Sequence, residues 1–154
     1  MNADIDEYLS ALKQSPKFGP QVVCHRRFAA TPAVYSRDVP PLHPDLITSL
    51  KNTGIDRLFS HQDKALRTVL DGRDVLVATP TASGKSMIYN LAVLQDLCSR
   101  SPGYALYLFP LKALAQDQLL GFNRIATHLK GRKPTAGIYD GDTSAWNSKR
   151  MREK

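Results

Sequence analysis

A chain of 154 residues with 42% apolar content is long enough to bury one ordinary core, which excludes a wholly disordered chain and leaves no room for two large domains. Its net charge of +7 favours an anionic partner, nucleic acid or nucleotide, although a basic soluble domain carries the same sign without any such partner. Two cysteines, Cys24 and Cys98, without CxxC spacing argue against a zinc motif or a disulfide framework; the acidic amphipathic start is no signal peptide, and no apolar run approaches the ~20 residues of a membrane span, so a cytoplasmic protein without membrane contact is expected.

The first predicted element is a short helix capped by Asp4, with Ile5, Tyr8, Leu9 and Leu12 on one face. Residues 15–44 hold six prolines and little helical periodicity. They read as extended chain lying over other elements, with Val22 and Val23 able to start a short strand. Pro44 suits the first turn of a helix that buries Leu46, Ile47 and Leu50 and ends at Gly54. A further helix opens at Ser60, with Asp63 as a short capping box, buries Ala65, Leu66, Val69 and Leu70, and stops at Gly72.

The pattern then changes period. Residues 74–79 form an apolar, valine-rich run expected to be a fully buried strand. Residues 85–100 read as a helix with Met87, Ile88, Leu91 and Leu94 inward. After a Pro102-Gly103 turn, residues 104–109 give a second buried strand, residues 111 to about 129 a helix, and residues 136–139 a third strand. Strand, helix, strand, helix, strand implies an α/β fold with a parallel sheet and right-handed crossovers. Gly141-Asp142-Thr143 turns the chain into a basic tail, with Lys149, Arg150, Arg152 and Lys154, expected to be solvated.

Between the first strand and its helix lies Thr79-Pro80-Thr81-Ala82-Ser83-Gly84-Lys85-Ser86. Backbone amides at a loop and helix start bind phosphate, small residues let that backbone approach, Lys85 would reach the β- and γ-phosphates of ATP, and the Ser86 hydroxyl would ligate Mg²⁺. The strict pattern wants glycine at position 79, and only Gly84-Lys85-Ser86 survives of it; an ordinary strand-to-helix turn with an exposed lysine satisfies the same three residues. Upstream, Gln62 offers an acceptor and two donors, which suit the Hoogsteen edge of adenine and equally suit water. Downstream, Pro110-Leu111-Lys112 follows the second strand, at the sheet edge where such folds bind ligands. There the helix start and Lys112 can take a nucleic-acid phosphate or simply face solvent.

Together these segments resemble the first RecA-like domain of a superfamily 2 helicase of the broad DEAD/DEAH-box class. HQDKAL resembles the adenine-reading Q motif, TPTASGKS motif I in an Ala/Ser-substituted form, FPLKALAQDQ motif Ia, and YDGDT the following turn. The wording resembles that of RecQ-like and Ski2-like helicases, and resembles more strongly still that of the bacterial mitomycin-repair-factor-A group, in which a QVV-H-R segment and a Pro-rich stretch precede LHP. The resemblance implies an ATP-dependent motor moving 3′ to 5′ on DNA and serving repair. Carried over by position, Gln62 reads adenine, and Thr81, Ala82, Ser83, Gly84, Lys85 and Ser86 hold the phosphates and Mg²⁺. Pro110, Lys112, Gly141, Asp142 and Thr143 lie along the DNA strand.

The resemblance also implies a division into a 1–56 extension and a truncated RecA-like domain over 57–154. The Asp-Glu motif that such helicases carry on a strand after the Gly-Asp-Thr turn, and their arginine finger, are not found in this sequence, where the acidic pairs and near-pairs (Asp4, Asp6, Glu7) lie in the first helix. The expectation is therefore an ATP- and nucleic-acid-binding N-terminal part that works with the remainder of a helicase and is inactive in hydrolysis by itself. A non-catalytic nucleotide- or DNA-binding module is the alternative. A small-molecule kinase would carry acceptor and lid arginines where this chain has PLKALAQDQ.

Overall fold

The computed structural model describes residues 4–38, 40–99, 103–130, 133–144 and 149. Arg100, Pro102 and the expected basic tail, apart from Lys149, lie outside the described residues. The chain forms two compact units, Met1–Pro32 and Ala33–Lys154.

In the first unit, helix α1 spans Ile5–Gln14, with the Asp4 side chain accepting from the Asp6 amide as its N-cap. A 3-10 turn follows at Gly19–Gln21. Arg27 pairs with Asp6 and holds that carboxyl below the usual carboxylate range, by hydrogen bond first and by charge second. The apolar face read from the sequence is not a buried one: no residue of α1 is buried, and Ile5 and Tyr8 are exposed. Val22 and Val23 form no strand.

The second unit is built on four helices, α2 (Pro44–Asn52), α3 (Ser60–Leu70), α4 (Lys85–Ser99) and α5 (Lys112–Ala126). Pro44 sits in the first turn of α2, and Gly54 at φ +80° and Gly72 at φ +78° let the chain leave α2 and α3 through the left-handed region. Helix α4 is the hub, packed on α2, α3 and α5, while α2 also meets α5. Leu46, Leu66, Leu91 and Leu94 are fully buried where these helices meet, each contributing about 1.5–3 kcal/mol of transfer free energy. Ser49, also fully buried, donates its hydroxyl to the Ile125 carbonyl at 2.5 Å and ties α2 to the end of α5.

The capping of α3 differs from expectation. Gln62, not Asp63, folds back to the helix start, its Oε1 accepting from the Phe59 amide at 2.9 Å. Asp63 instead accepts from the Ser36 hydroxyl and from Arg67.

The expected sheet is where sequence and structure part most clearly. Among the described residues no ladder forms, and the one bridge is an isolated antiparallel pair, Tyr35 with Phe59. The segments expected as buried strands show the alternation of a half-covered one. Val75 and Val77 are partly covered while Leu76 is 96% exposed, and Tyr107 and Phe109 are partly covered while Leu106 and Leu108 are open. Runs of valine and leucine on both faces of a strand want helices on both sides. With one side in water, the backbone amides exchange one partner for another at little net gain, and parallel pairing is the weaker kind.

Candidate phosphate loop and adjoining pocket

The loop ahead of α4 takes a shape that plain turns do not need. Ala82 has φ +62° and Gly84 φ +75°, so two residues of three stand in the left-handed region. Thr79 and Ser83 join hydroxyls across the loop at 2.6 Å. The Lys85 ammonium folds back over it, donating to the carbonyls of Thr79 and Pro80, both at 2.8 Å. An ammonium has three donors, so one N–H is left over. The hydrogen-bonded turns of α4 begin with the Met87 amide donating to the Gly84 carbonyl at 3.1 Å. The amides before it are the orphan donors of a helix start, where the dipole adds positive potential. Ser86, partly buried, is the second residue of the helix. Thr81 and Ala82 are exposed.

The start of α3 is stitched to this loop by two consecutive side chains. His61 Nε2 lies 3.0 Å from the Ser83 carbonyl, and Gln62 Nε2 donates to the Gly84 carbonyl at 2.9 Å. Gln62 is buried, and both ends of its amide are engaged, with one N–H and one lone pair still unspent.

Beside Gln62 lies a pocket of about 450 Å³ lined by Tyr35, Ile55, Arg57, Phe59, Gln62 and Met87, within the range of small-molecule sites, roughly 300–1,000 Å³. Its wall is aromatic: Tyr35 stacks on Phe59 at 5.1 Å, and the Arg57 guanidinium lies 5.0 Å over the Tyr35 ring. Tyr35 and Phe59 face each other because Ser36 N donates to Leu58 O at 2.9 Å and Ser60 N to Val34 O at 2.8 Å, the arrangement that brings opposed side chains closest. Of these lining residues the sequence singles out Gln62 as a candidate, and not Tyr35, Arg57 or Phe59. Arg57 and Phe59 stand within five residues of Gln62 and were open to notice, whereas nothing local marks Tyr35.

A second cluster gathers the residues expected to face DNA. Pro110 is exposed ahead of α5, and Lys112, the first residue of that helix, pairs with Asp142. The turn after residue 139 is self-contained. The Asp142 amide donates to Asp140 Oδ1 at 3.0 Å, the Asp140 amide to Thr143 Oγ1 at 2.9 Å, and the Thr143 hydroxyl lies 3.1 Å from Asp140 Oδ1. The Asp140 carboxyl is held below its usual range, first by the Asp142 amide; burial, next in size, opposes this, and Thr143 and Lys112 add to the lowering. Lys112 is therefore paired with a carboxylate at the surface, and the Thr143 hydroxyl is already engaged.

Comparison with known proteins follows the same outline. The DEAD/DEAH box helicase family matches residues 59–153. The chain is 47% identical over 96 residues to "Uncharacterized ATP-dependent helicase YprA" of Bacillus subtilis, covering 62% of this chain and 13% of that protein. It is 32% identical over 143 residues to "ATP-dependent helicase hrq1" of Schizosaccharomyces pombe, covering 90% and 14%. Among solved structures, the helicase MrfA bound to DNA superposes with a TM-score of 0.82 at 35% identity over 99% of this chain and 21% of that one. MrfA bound to DNA and AMPPNP gives 0.72 at 39% identity, over 79% and 17%. The chain thus spans between an eighth and a quarter of the length of these relatives.

Proposed function

The chain belongs to the DEAD/DEAH box helicase family, and from that premise we propose that it is the ATP- and DNA-binding N-terminal part of an ATP-dependent DNA helicase, with the helicase domain beginning near residue 57 after an extension over 1–56. The observation that carries the nucleotide half is Lys85 drawn across a loop with two left-handed residues at the start of α4. Orphan amides, a spare ammonium N–H and the Ser86 hydroxyl are the donor set that a polyphosphate and its Mg²⁺ require. Thr81 to Gly84 would wrap the phosphates, with Lys85 exchanging its carbonyl partners for phosphate oxygens. Gln62 would use its unspent N–H and lone pair on adenine, in the pocket walled by Tyr35 and Phe59. The ATP would supply the chemical energy of its phosphoanhydride bond. What these residues do is bind, orient and charge-balance it.

The DNA half rests on Pro110, Lys112 and the Gly141-Asp142-Thr143 turn, supported by the likeness to a helicase solved with DNA. The three segments 74–79, 104–109 and 136–139 would become strands of a parallel RecA-like sheet once their open face, with Leu76, Leu106 and Leu108, is covered by the remainder of a helicase. Among the described residues no helix is long and apolar enough to cross a membrane.

The test is a calorimetric titration of Mg·ATP into this chain and into its Lys85→Ala variant. The expected result is a loss of affinity of about tenfold or more, the scale of a charge-assisted contact to phosphate. Equal affinities would remove the phosphate loop from the account.

A further inference from the structure

The side chains between the pocket and the loop form an unbroken column. Arg57 lies over Tyr35 at 5.0 Å, Tyr35 stacks on Phe59 at 5.1 Å, and Phe59 stacks on the His61 ring at 5.8 Å and 10° between planes. His61 then reaches the Ser83 carbonyl at 3.0 Å. Tyr35 and Phe59 line the pocket and His61 does not, so His61 is the one member of the column that touches the loop without bordering the space where a base would lie. A carbonyl only accepts, so Nε2 carries the proton of this contact, and the ring's orientation fixes where Ser83 stands. Ser83 in turn bonds Thr79, whose carbonyl holds the Lys85 ammonium.

We infer that His61 is a positioning residue that couples occupancy of the aromatic pocket to the set of the phosphate loop, so that a purine base against Tyr35 and Phe59 strengthens the grip on the polyphosphate. This rests on the nucleotide reading above. The physical basis is that stacked rings pack without slack, at the 4.5–7 Å separations such pairs prefer, and transmit displacement rather than absorb it. A base restraining Tyr35 and Phe59 restrains His61, and the restrained imidazole fixes the Ser83 carbonyl and with it the backbone that leads into the start of α4. Inorganic tripolyphosphate carries the same charge pattern without a base and leaves the column unloaded.

Binding of Mg·ATP and of Mg·tripolyphosphate is compared across four proteins: this chain, His61→Phe, Tyr35→Leu and the double variant. His61→Phe keeps the stack and removes the Ser83 bond, and a thermal melt of each variant confirms its folding. The expected pattern is a fall in ATP affinity of about fivefold, the scale of one net hydrogen bond, with tripolyphosphate affinity within a factor of two of the parent. The double variant should bind ATP no more weakly than the weaker single variant, since both changes break one column. Equal losses for the two ligands, no loss for either, or additive losses in the double variant would each overturn the coupling while leaving the nucleotide site standing. Failure of the parent chain to bind either ligand would overturn the nucleotide reading and the coupling with it.

Discussion

Gln62 and Gly84 are fitted to each other: the Gln62 Nε2 donates to the Gly84 carbonyl at 2.9 Å, and a Cβ placed on Gly84 would stand 2.4 Å from that same nitrogen. The helix that opens the pocket and the loop that opens α4 are therefore in contact through an atom with no room to spare. The Gln62 amide cannot swing aside freely, because its other end holds the Phe59 amide.

Gly84→Ala is expected to damage the loop twice. At φ +75° an L-residue costs about 1–2 kcal/mol, and the new methyl group must also displace the Gln62 side chain. Mg·ATP affinity should fall by tenfold or more in calorimetry, with a lower Tm. Adding Gln62→Ala should recover part of the Tm loss by removing the clash, but not the part due to backbone strain. A Gly84→Ala chain with unaltered affinity and melting would show that the loop adopts another shape in solution.

The helices were legible because their signals are local. Pro44 and Gly54 bracket α2, Gly72 closes α3, and the inward row Ile88, Leu91, Leu94 sits at helical spacing. The candidate phosphate loop could be singled out for the same reason, since Gly84, Lys85 and Ser86 are contiguous. What could not be read depends on distant partners. Tyr35 joins the pocket through a bridge to Phe59, 24 residues on, and nothing in a Pro-rich stretch announces it. The Lys112–Asp142 pair spans 30 residues. The valine-rich segment at 74–79 reads as buried on both faces because its composition suits that, but composition states what a strand can bury and not what is there to cover it. Asp63 against Gln62 as the capping side chain was a choice between neighbours, and glutamine has the reach.

Asp142 is expected to restrain the binding of DNA by Lys112. Both side chains are largely exposed, so the pair itself contributes at most about 1 kcal/mol to stability. Asp142→Asn should leave Tm nearly unchanged while raising affinity for a single-stranded oligonucleotide a few-fold. It should also steepen the dependence of log K on log salt by up to about one phosphate contact. Lys112→Ala should do the reverse. Unchanged salt slopes in both variants would take this edge out of the DNA path.

The turn at residues 140–143 is expected to loosen in acid. The Asp140 carboxyl is held below its ordinary range by the Asp142 amide foremost. The unfolded chain therefore takes up that proton at a higher pH than the folded one. The stabilisation is fully present above the ordinary carboxylate range and is lost as pH falls through the lowered folded value. Amide exchange at Asp142 and Thr143, followed by NMR and expressed relative to the intrinsic rate at each pH, should accelerate across that window. In Asp140→Asn the same amides should exchange without that dependence. Acceleration centred above the ordinary range instead would contradict the geometry of the turn.

Tyr107 sets the last expectation, where two effects act at different pH. Its ring packs edge-on to Tyr89 at 5.4 Å and to Phe122 at 6.2 Å, while its hydroxyl has no hydrogen-bond partner among the described residues. Burial pushes that hydroxyl up to about 12. At neutral pH an unpaired buried hydroxyl costs about 1–3 kcal/mol, so Tyr107→Phe, which keeps the ring contacts, should raise Tm by a few degrees. At high pH the sign is fixed by the proton the folded state retains. Above about 10 the unfolded chain releases its tyrosine proton, while the folded chain keeps that of Tyr107 to about 12, so stability falls with rising pH across that interval. Denaturant melts of parent and variant from neutral pH upward should therefore diverge above about 10, the parent losing stability faster; the other tyrosines titrate in both proteins and cancel in the difference. A variant less stable than the parent at neutral pH would mean that the hydroxyl has a partner after all.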